Sequence, residues 1–178
     1  MEALEKLKYP IGRFESPTEI TEQRIRTWIA VLENHPSRLR NLVEGFSEEQ
    51  LETPYRDQGW TVRQVIHHMA DSHHHSYTRF KWALSENRPL IKAYDEKEWA
   101  LMLDAKDAPI ALSLHYLSAL HAKLVYFLKQ LSVQDFQKCF IHPDGNINVS
   151  VAENLAKYAW HSNHHYAHIE NLAIRKGW

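Results

Sequence analysis

Apolar residues recur at three- and four-residue steps through four long segments of the chain, the spacing that gathers them on one face of an α-helix. The first segment is predicted to open at Ser16-Pro17-Thr18-Glu19, which offers an N-cap hydroxyl, a proline in the first turn and an acid three residues on. Ile25, Trp28, Ile29, Leu32 and His35 follow. Pro36 lacks an amide donor and crowds the preceding turn, so it is expected to break or kink the helix. A second piece, Leu39 to Val43, ends at Gly45. The next segment is capped by Thr61 and runs to about Ser85, with Val62, Val65, Ile66, Met69, Phe80 and Leu84 on one side. Residues 88–106 read as a long connection with a helical turn at Glu96 to Leu101. The third segment, Pro109 to Leu131, carries a stripe of Leu114, Leu117, Leu124 and Leu128. His142-Pro143-Asp144-Gly145-Asn146 is a turn. Ser150 with Glu153 then caps the last segment, which ends near Lys176 before Gly177. Ile147 to Val151 alternates, but too briefly to hold a sheet by itself. The pattern predicts an all-α bundle, one domain over residues 1–178.

Composition narrows the partners. A chain of 178 residues that is 44% hydrophobic can bury a core without covalent staples. Its net charge of −1 gives no basic footprint for nucleic acid or an anionic membrane, so a small-molecule substrate or a second copy is the expected partner. Cys139 is the only cysteine, which excludes an intramolecular disulfide and a thiolate cluster for structural zinc, and points to the cytoplasm. The stretch MEALEKLKYPIGRF has acids and a proline where a secretory leader would be apolar, and no later stretch approaches a membrane span. The 13 histidines gain charge below neutral pH, so acid is expected to weaken the protein.

The histidines also carry the candidate chemistry. AWHSNHHYAH, residues 159–168, offers two pairs one helical turn apart, His161 with His165 and His164 with His168, and such pairs clip divalent metals well. On a helical wheel Val151, Leu155, Tyr158, Tyr166, Ile169 and Ala173 define the inward direction; His165 lies about 60° from it and His161 about 100° on the same flank. His164 falls further toward solvent. His161 and His165 are therefore the better-placed pair. A further ligand is expected from VIHHMADSHHH, residues 65–75, where periodicity leaves the choice open. His73 sits at the centre of the apolar stripe, His68 on its flank and His67 on the polar side; His74 and His75 read as surface residues. A buried histidine is more often satisfied by a hydrogen bond than ligating a metal, and His121, in line with Leu117 and Leu124, reads as core or as support for a ligand.

YPIGRF at 9–14, GWTVRQVIHHMADSHHHSYTRFKWAL at 59–84 and HPDGNINVSVAENLAKYAWHSNHHYAHI at 142–169 together resemble the DinB-like superfamily and, within it, the YfiT-type metal-dependent hydrolases of bacilli. The resemblance covers nearly the whole chain. It implies a four-helix bundle with a crossover connection, which the long 88–106 segment suits, and often a homodimer. In that family a histidine lies eight positions beyond the residue opening the second long helix, and an H-x-x-x-H pair lies on the last helix. From Trp60 this selects His68; the pair is His161 and His165. The resemblance thus implies one divalent metal ion, zinc or nickel, on His68, His161 and His165. Related proteins of the superfamily look like thiol-dependent transferases, for which the thiol in bacilli is bacillithiol, and a purely structural metal is a third reading.

Three neutral imidazoles leave a divalent ion with its full charge and with open positions, as a catalytic site requires. Asp71, three residues after His68, is a candidate to orient a ligand or take a proton, although an acid on a helix flank is more often solvated. Tyr77, Arg79, Tyr158 and Trp160 are candidates to line the mouth. Cys139 reads as an apolar filler, not a nucleophile.

Overall fold

Capping residues decide where the long helices begin. In the computed structural model, which describes residues 2–178, the order is α1 (Glu2–Lys8), α2 (Glu22–Val43), α3 (Glu48–Leu51), α4 (Val62–Ser85), α5 (Glu96–Trp99), α6 (Leu103–Asp107), α7 (Ile110–Leu128), α8 (Val133–Gln137), β1 (Cys139–His142), β2 (Ile147–Ser150) and α9 (Val151–Lys176). Met1, the first residue of the stretch weighed above as a leader, lies outside the described residues. Thr61 and Ser150 each complete a capping box, with Gln64 and Glu153 respectively, and start α4 and α9 at the expected positions. Gly177 ends α9 in a left-handed conformation, φ 70°.

Two expectations about α2 are corrected. The helix starts at Glu22, where Thr21 accepts a bond from the Arg24 amide, and not near Ser16. A turn begun at Ser16 would bury little: Ile20 is exposed, and the first buried side chain of α2 is Ile25. Nor does Pro36 end the helix, since α2 runs unbroken from Glu22 to Val43 with Leu39 and Val43 buried on the face begun by Ile25. Pro36 removes the amide that would bond the Leu32 carbonyl, and His121 supplies a replacement donor to that oxygen at 2.6 Å.

Four long helices, α2, α4, α7 and α9, pack as a bundle in which α2 and α4 each lie against both α7 and α9. Their directions follow from paired residues. His67 meets Ser113 and His73 meets His121, so α4 and α7 run parallel. Ser72 meets Tyr158 and Ser76 meets Asn154, so α4 and α9 run antiparallel. Parallel neighbours need the chain carried back along the bundle between them. Residues 86–109 do this as a strap over α4, in which Tyr94 stacks on His75, the Gln64 amide donates to the Ala100 carbonyl, and His67 Nε2 lies 3.1 Å from the Ala108 carbonyl. The strap explains why His67 is buried although it lies off the apolar stripe. Arg63, also covered, donates to the Ala108 carbonyl and pairs with Glu48 and Glu52. It joins α3, α4 and the strap.

The fold is not purely helical. The stretch 147–151 does find a partner, and β1 and β2 pair antiparallel with Phe140 opposite Val149. The hairpin holds because Phe140 is buried in the core and Ile141 exchanges backbone bonds with Pro89 and Ile91 of the strap. No helix among the described residues is long and apolar enough to cross a membrane.

The apolar interior is divided. One cluster contains Ile25, Ile29, Leu32, Phe80, Leu124, Leu128 and Leu155; the other contains Leu39, Val65, Ile66, Met69, Leu117 and Ile169. Along each long helix a histidine falls between the two: His35 on α2, His73 on α4, His121 on α7 and His161 on α9. The bundle therefore carries a polar layer across its middle. Ser150→Ala removes the cap of α9 and is expected to cost about 1 kcal/mol, read as a lower urea midpoint at unchanged slope.

Candidate metal centre

The helical phase of α4 and α9 brings His68, His161 and His165 together. One ring nitrogen from each lies within 4.8 Å of the others, and His68 Nε2 is 3.2 Å from His161 Nε2. Two nitrogens each about 2.0–2.1 Å from one tetrahedral cation stand about 3.3–3.4 Å apart, so the spacing of His68 and His161 suits a shared ion. His68 and His165 are each 8% exposed. His161 keeps a larger part of its surface open. Trp60 covers one side, its ring 4.6 Å from that of His68 and 6.4 Å from that of His165.

Burial sets the charge of these rings. Desolvation holds His68 down at about 3, and it pushes His161 and His165 well below the ordinary imidazole range, with neighbouring histidines adding to the effect. All three are neutral at pH 7, the form that offers a lone pair to a metal. The donor set, three neutral nitrogens from two helices, fits a divalent cation of the zinc or nickel type.

Behind these three histidines stand further histidines. His161 Nδ1 is 3.2 Å from His73 Nε2, His73 Nδ1 is 2.9 Å from His121 Nε2, and His121 Nδ1 donates to the Leu32 carbonyl. His35 completes the layer through ring contacts with His73 and His121, at 5.9 and 5.8 Å between centroids. On the other flank His165 Nδ1 is 3.4 Å from His168 Nδ1, and His168 Nε2 donates to the carbonyl of Lys8 at the end of α1.

His164, His165 and His168 also bring ring nitrogens within 4.8 Å of one another. The wheel turned His164 toward solvent, but it is 7% exposed, stacked on Trp160 at 4.4 Å and near Tyr9. The N-terminal segment covers this face, which a wheel drawn for one helix has no means of including. His165 belongs to both groups, and its Nδ1 is turned to His168, which leaves Nε2 for the set with His68 and His161.

Of the other candidates, Asp71 shares no hydrogen bond with the three histidines among the described residues. Burial, with Asp104 nearby, raises its carboxyl to about 6. Tyr158 is buried, its hydroxyl 3.3 Å from Ser72 Oγ, which in turn lies 3.5 Å from His161 Nε2. No sequence signal marks Ser72, because a serine between an aspartate and a histidine inside a helix carries no pattern of its own. Trp160 serves His164 rather than a mouth, and Arg79 is buried. His75 packs its ring against Tyr94 of the strap, whereas His74 is exposed.

Residues 31–169 match the family model described as DinB superfamily. The chain belongs to the DinB superfamily. It is 46% identical over 172 residues to a Bacillus subtilis (strain 168) protein named "putative metal-dependent hydrolase YfiT", covering 97% of each. A protein of Oceanobacillus iheyensis, also named "putative metal-dependent hydrolase", is 48% identical over 171 residues, 96% of this chain and 98% of the relative. The solved structure of YfiT from Bacillus subtilis, described as "a probable metal-dependent hydrolase with an unusual four-helix bundle topology", superposes with a TM-score of 0.95 at 46% identity, over 97% of this chain and 99% of that one.

The pH dependence of stability follows from burial. His35 and His68 are held at about 3 and His121 at about 4, against 6.5 in an unfolded chain. Between those values the unfolded chain binds protons that the folded one refuses, so stability is full above pH 6.5 and falls as pH drops toward 3. Each such ring contributes about 1.4 kcal/mol per pH unit, partly opposed below pH 6 by Asp71, whose raised carboxyl favours the folded state. Metal-free protein is expected to show a urea midpoint that drops steeply between pH 6.5 and 4.5; a flat midpoint over that interval contradicts neutral buried rings.

Proposed function

We propose that this protein is a metal-dependent hydrolase in which His68, His161 and His165 hold one divalent cation, zinc or nickel, and act on a small-molecule substrate. The observation that carries the reading is the convergence of three neutral imidazole nitrogens from α4 and α9 at a place where His161 remains partly accessible. Membership in the DinB superfamily, and the names borne by relatives nearly half identical to this chain, support it further.

When bound, such a cation supplies Lewis acidity and lowers the pKa of a coordinated water from about 15.7 toward about 7. The protein's own groups do the rest. The three rings add no charge of their own, so the cation keeps its full polarising power. Ser72 Oγ, held between His161 and the Tyr158 hydroxyl, is placed to hydrogen-bond a polar substrate atom beside the ligands. Burial raises the Tyr158 hydroxyl, which therefore stays protonated and available as a donor at neutral pH. Trp60 lies over His68 and keeps bulk water from that side.

Elemental analysis of protein prepared without a polyhistidine tag is expected to give one divalent metal per chain. His161→Ala and His165→Ala each abolish that stoichiometry, whereas His164→Ala retains it; full metal in His165→Ala overturns the ligand set. With a panel of activated esters and amides, turnover is expected to vanish on chelation and to return with zinc or nickel. Product formation that instead requires an added thiol, with the thiol incorporated, replaces hydrolysis by thiol transfer at the same site.

A further inference from the structure

Pro36 and the Leu32 carbonyl stand at one end of a chain of contacts whose other end is the candidate metal site. In an α-helix the carbonyl of residue 32 accepts from the amide of residue 36, and proline has no such hydrogen. Leu32 is fully buried, so water does not reach its carbonyl either. The donor that does is His121 Nδ1, at 2.6 Å from across the bundle.

A carbonyl only accepts, so that contact places the His121 hydrogen on Nδ1. In a neutral ring Nε2 then carries the lone pair, and His73 Nδ1, at 2.9 Å, must be the donor to it. His73 Nε2 is thereby an acceptor, and His161 Nδ1, 3.2 Å away, must donate. His161 Nε2 is left with its lone pair, facing His68 Nε2. Every step follows from the one before, because a neutral imidazole has one donor and one acceptor.

We propose that Pro36, by vacating the Leu32 carbonyl, anchors a one-directional relay through His121 and His73 that locks His161 in the tautomer presenting Nε2 to the metal. His73 and His121 are positioning residues that act through His161. The relay also accounts for a proline in the middle of a long amphipathic helix, where the residue otherwise weakens the fold. A histidine ligand whose second nitrogen is held by an acceptor is better oriented and more basic, and loss of such a partner typically lowers metal affinity 10–100-fold.

The metal-affinity part of the proposal rests on the ligand set proposed above; the tautomer chain does not. The decisive measurement is long-range ¹H–¹⁵N correlation NMR on the metal-free, full-length protein at pH 7.5, which distinguishes Nδ1–H from Nε2–H rings. Nδ1–H is expected for His121, His73 and His161 together, and an Nε2–H ring at any of the three overturns the relay. If the tautomers are as stated but no metal binds, the ligand set fails and the relay stands.

Zinc affinity, measured by chelator competition, tests the rest. His73→Phe fills the space but offers His161 no acceptor, and is expected to bind zinc 10–100-fold more weakly. His73→Gln offers a carbonyl oxygen to His161 and an amide hydrogen to His121, preserving the direction of both bonds, and is expected to recover most of that loss. Equal affinity in the two variants assigns His73 a packing role only and overturns the proposal. If His73→Phe does not fold, the comparison of His73→Gln with His73→Asn, which is one methylene shorter, decides in the same way. Pro36→Ala returns an amide hydrogen to compete for the Leu32 carbonyl. A smaller loss of affinity is expected, with some His121 shifting to Nε2–H; no change in either removes Pro36 from the relay.

Discussion

An imidazole inside an apolar core must stay neutral, because charging it without solvent is costly, and its polar nitrogens are best placed against one another or against backbone. In the middle of this bundle His73, His121 and His161 meet that constraint, whereas among the described residues neither ring nitrogen of His35 has a hydrogen-bond partner. His35, His73, His121 and His161 form a layer between two apolar clusters, and the bonds that run from the Leu32 carbonyl through His121 and His73 reach His161 at the candidate metal site. The apolar clusters on either side keep water from His35, His73 and His121, and that burial keeps those rings neutral. Stability and metal readiness thus come from the same burial.

The topology serves the same end. With α4 and α9 antiparallel, His68 and His161 meet, and with α4 parallel to α7, His73 meets His121. An up-and-down bundle with short links would not place α4 and α7 side by side in the same direction. The strap of residues 86–109 makes that arrangement possible, and it buries His67 and the ring of His75. Burial, with Asp104 of the strap nearby, raises the Asp71 carboxyl.

Much of the helical frame was legible, and the reason is local. The capping boxes at Thr61 and Ser150 and the glycine at 177 are short-range devices whose partners lie within a turn. The start of α2 was misplaced because Ser16 to Glu19 offers a similar local signal, while burial, a tertiary property, begins only with Ile25. For a related reason the helix does not break at Pro36. Proline removes a bond within the helix, but whether the helix ends depends on whether something else satisfies the freed carbonyl, and that donor comes from residue 121. The stretch 147–151 is too short to hold a sheet by itself; Phe140 and the strap lend the hairpin the support that alternation alone does not reveal.

The residues that can ligate, their helical phase on α9 and the inward placement of His73 and His121 were all contained in the order of amino acids, since phase is a property of one helix. Periodicity could not choose among His67, His68 and His73, because a ligand is defined by what faces it from another helix. Only the packed bundle decided that His68 opposes His161, that His164 is covered by the N-terminal segment, and that the Leu32 carbonyl meets His121. Those are contacts between residues tens of positions apart, made by the directions in which four helices run, and no local pattern encodes them.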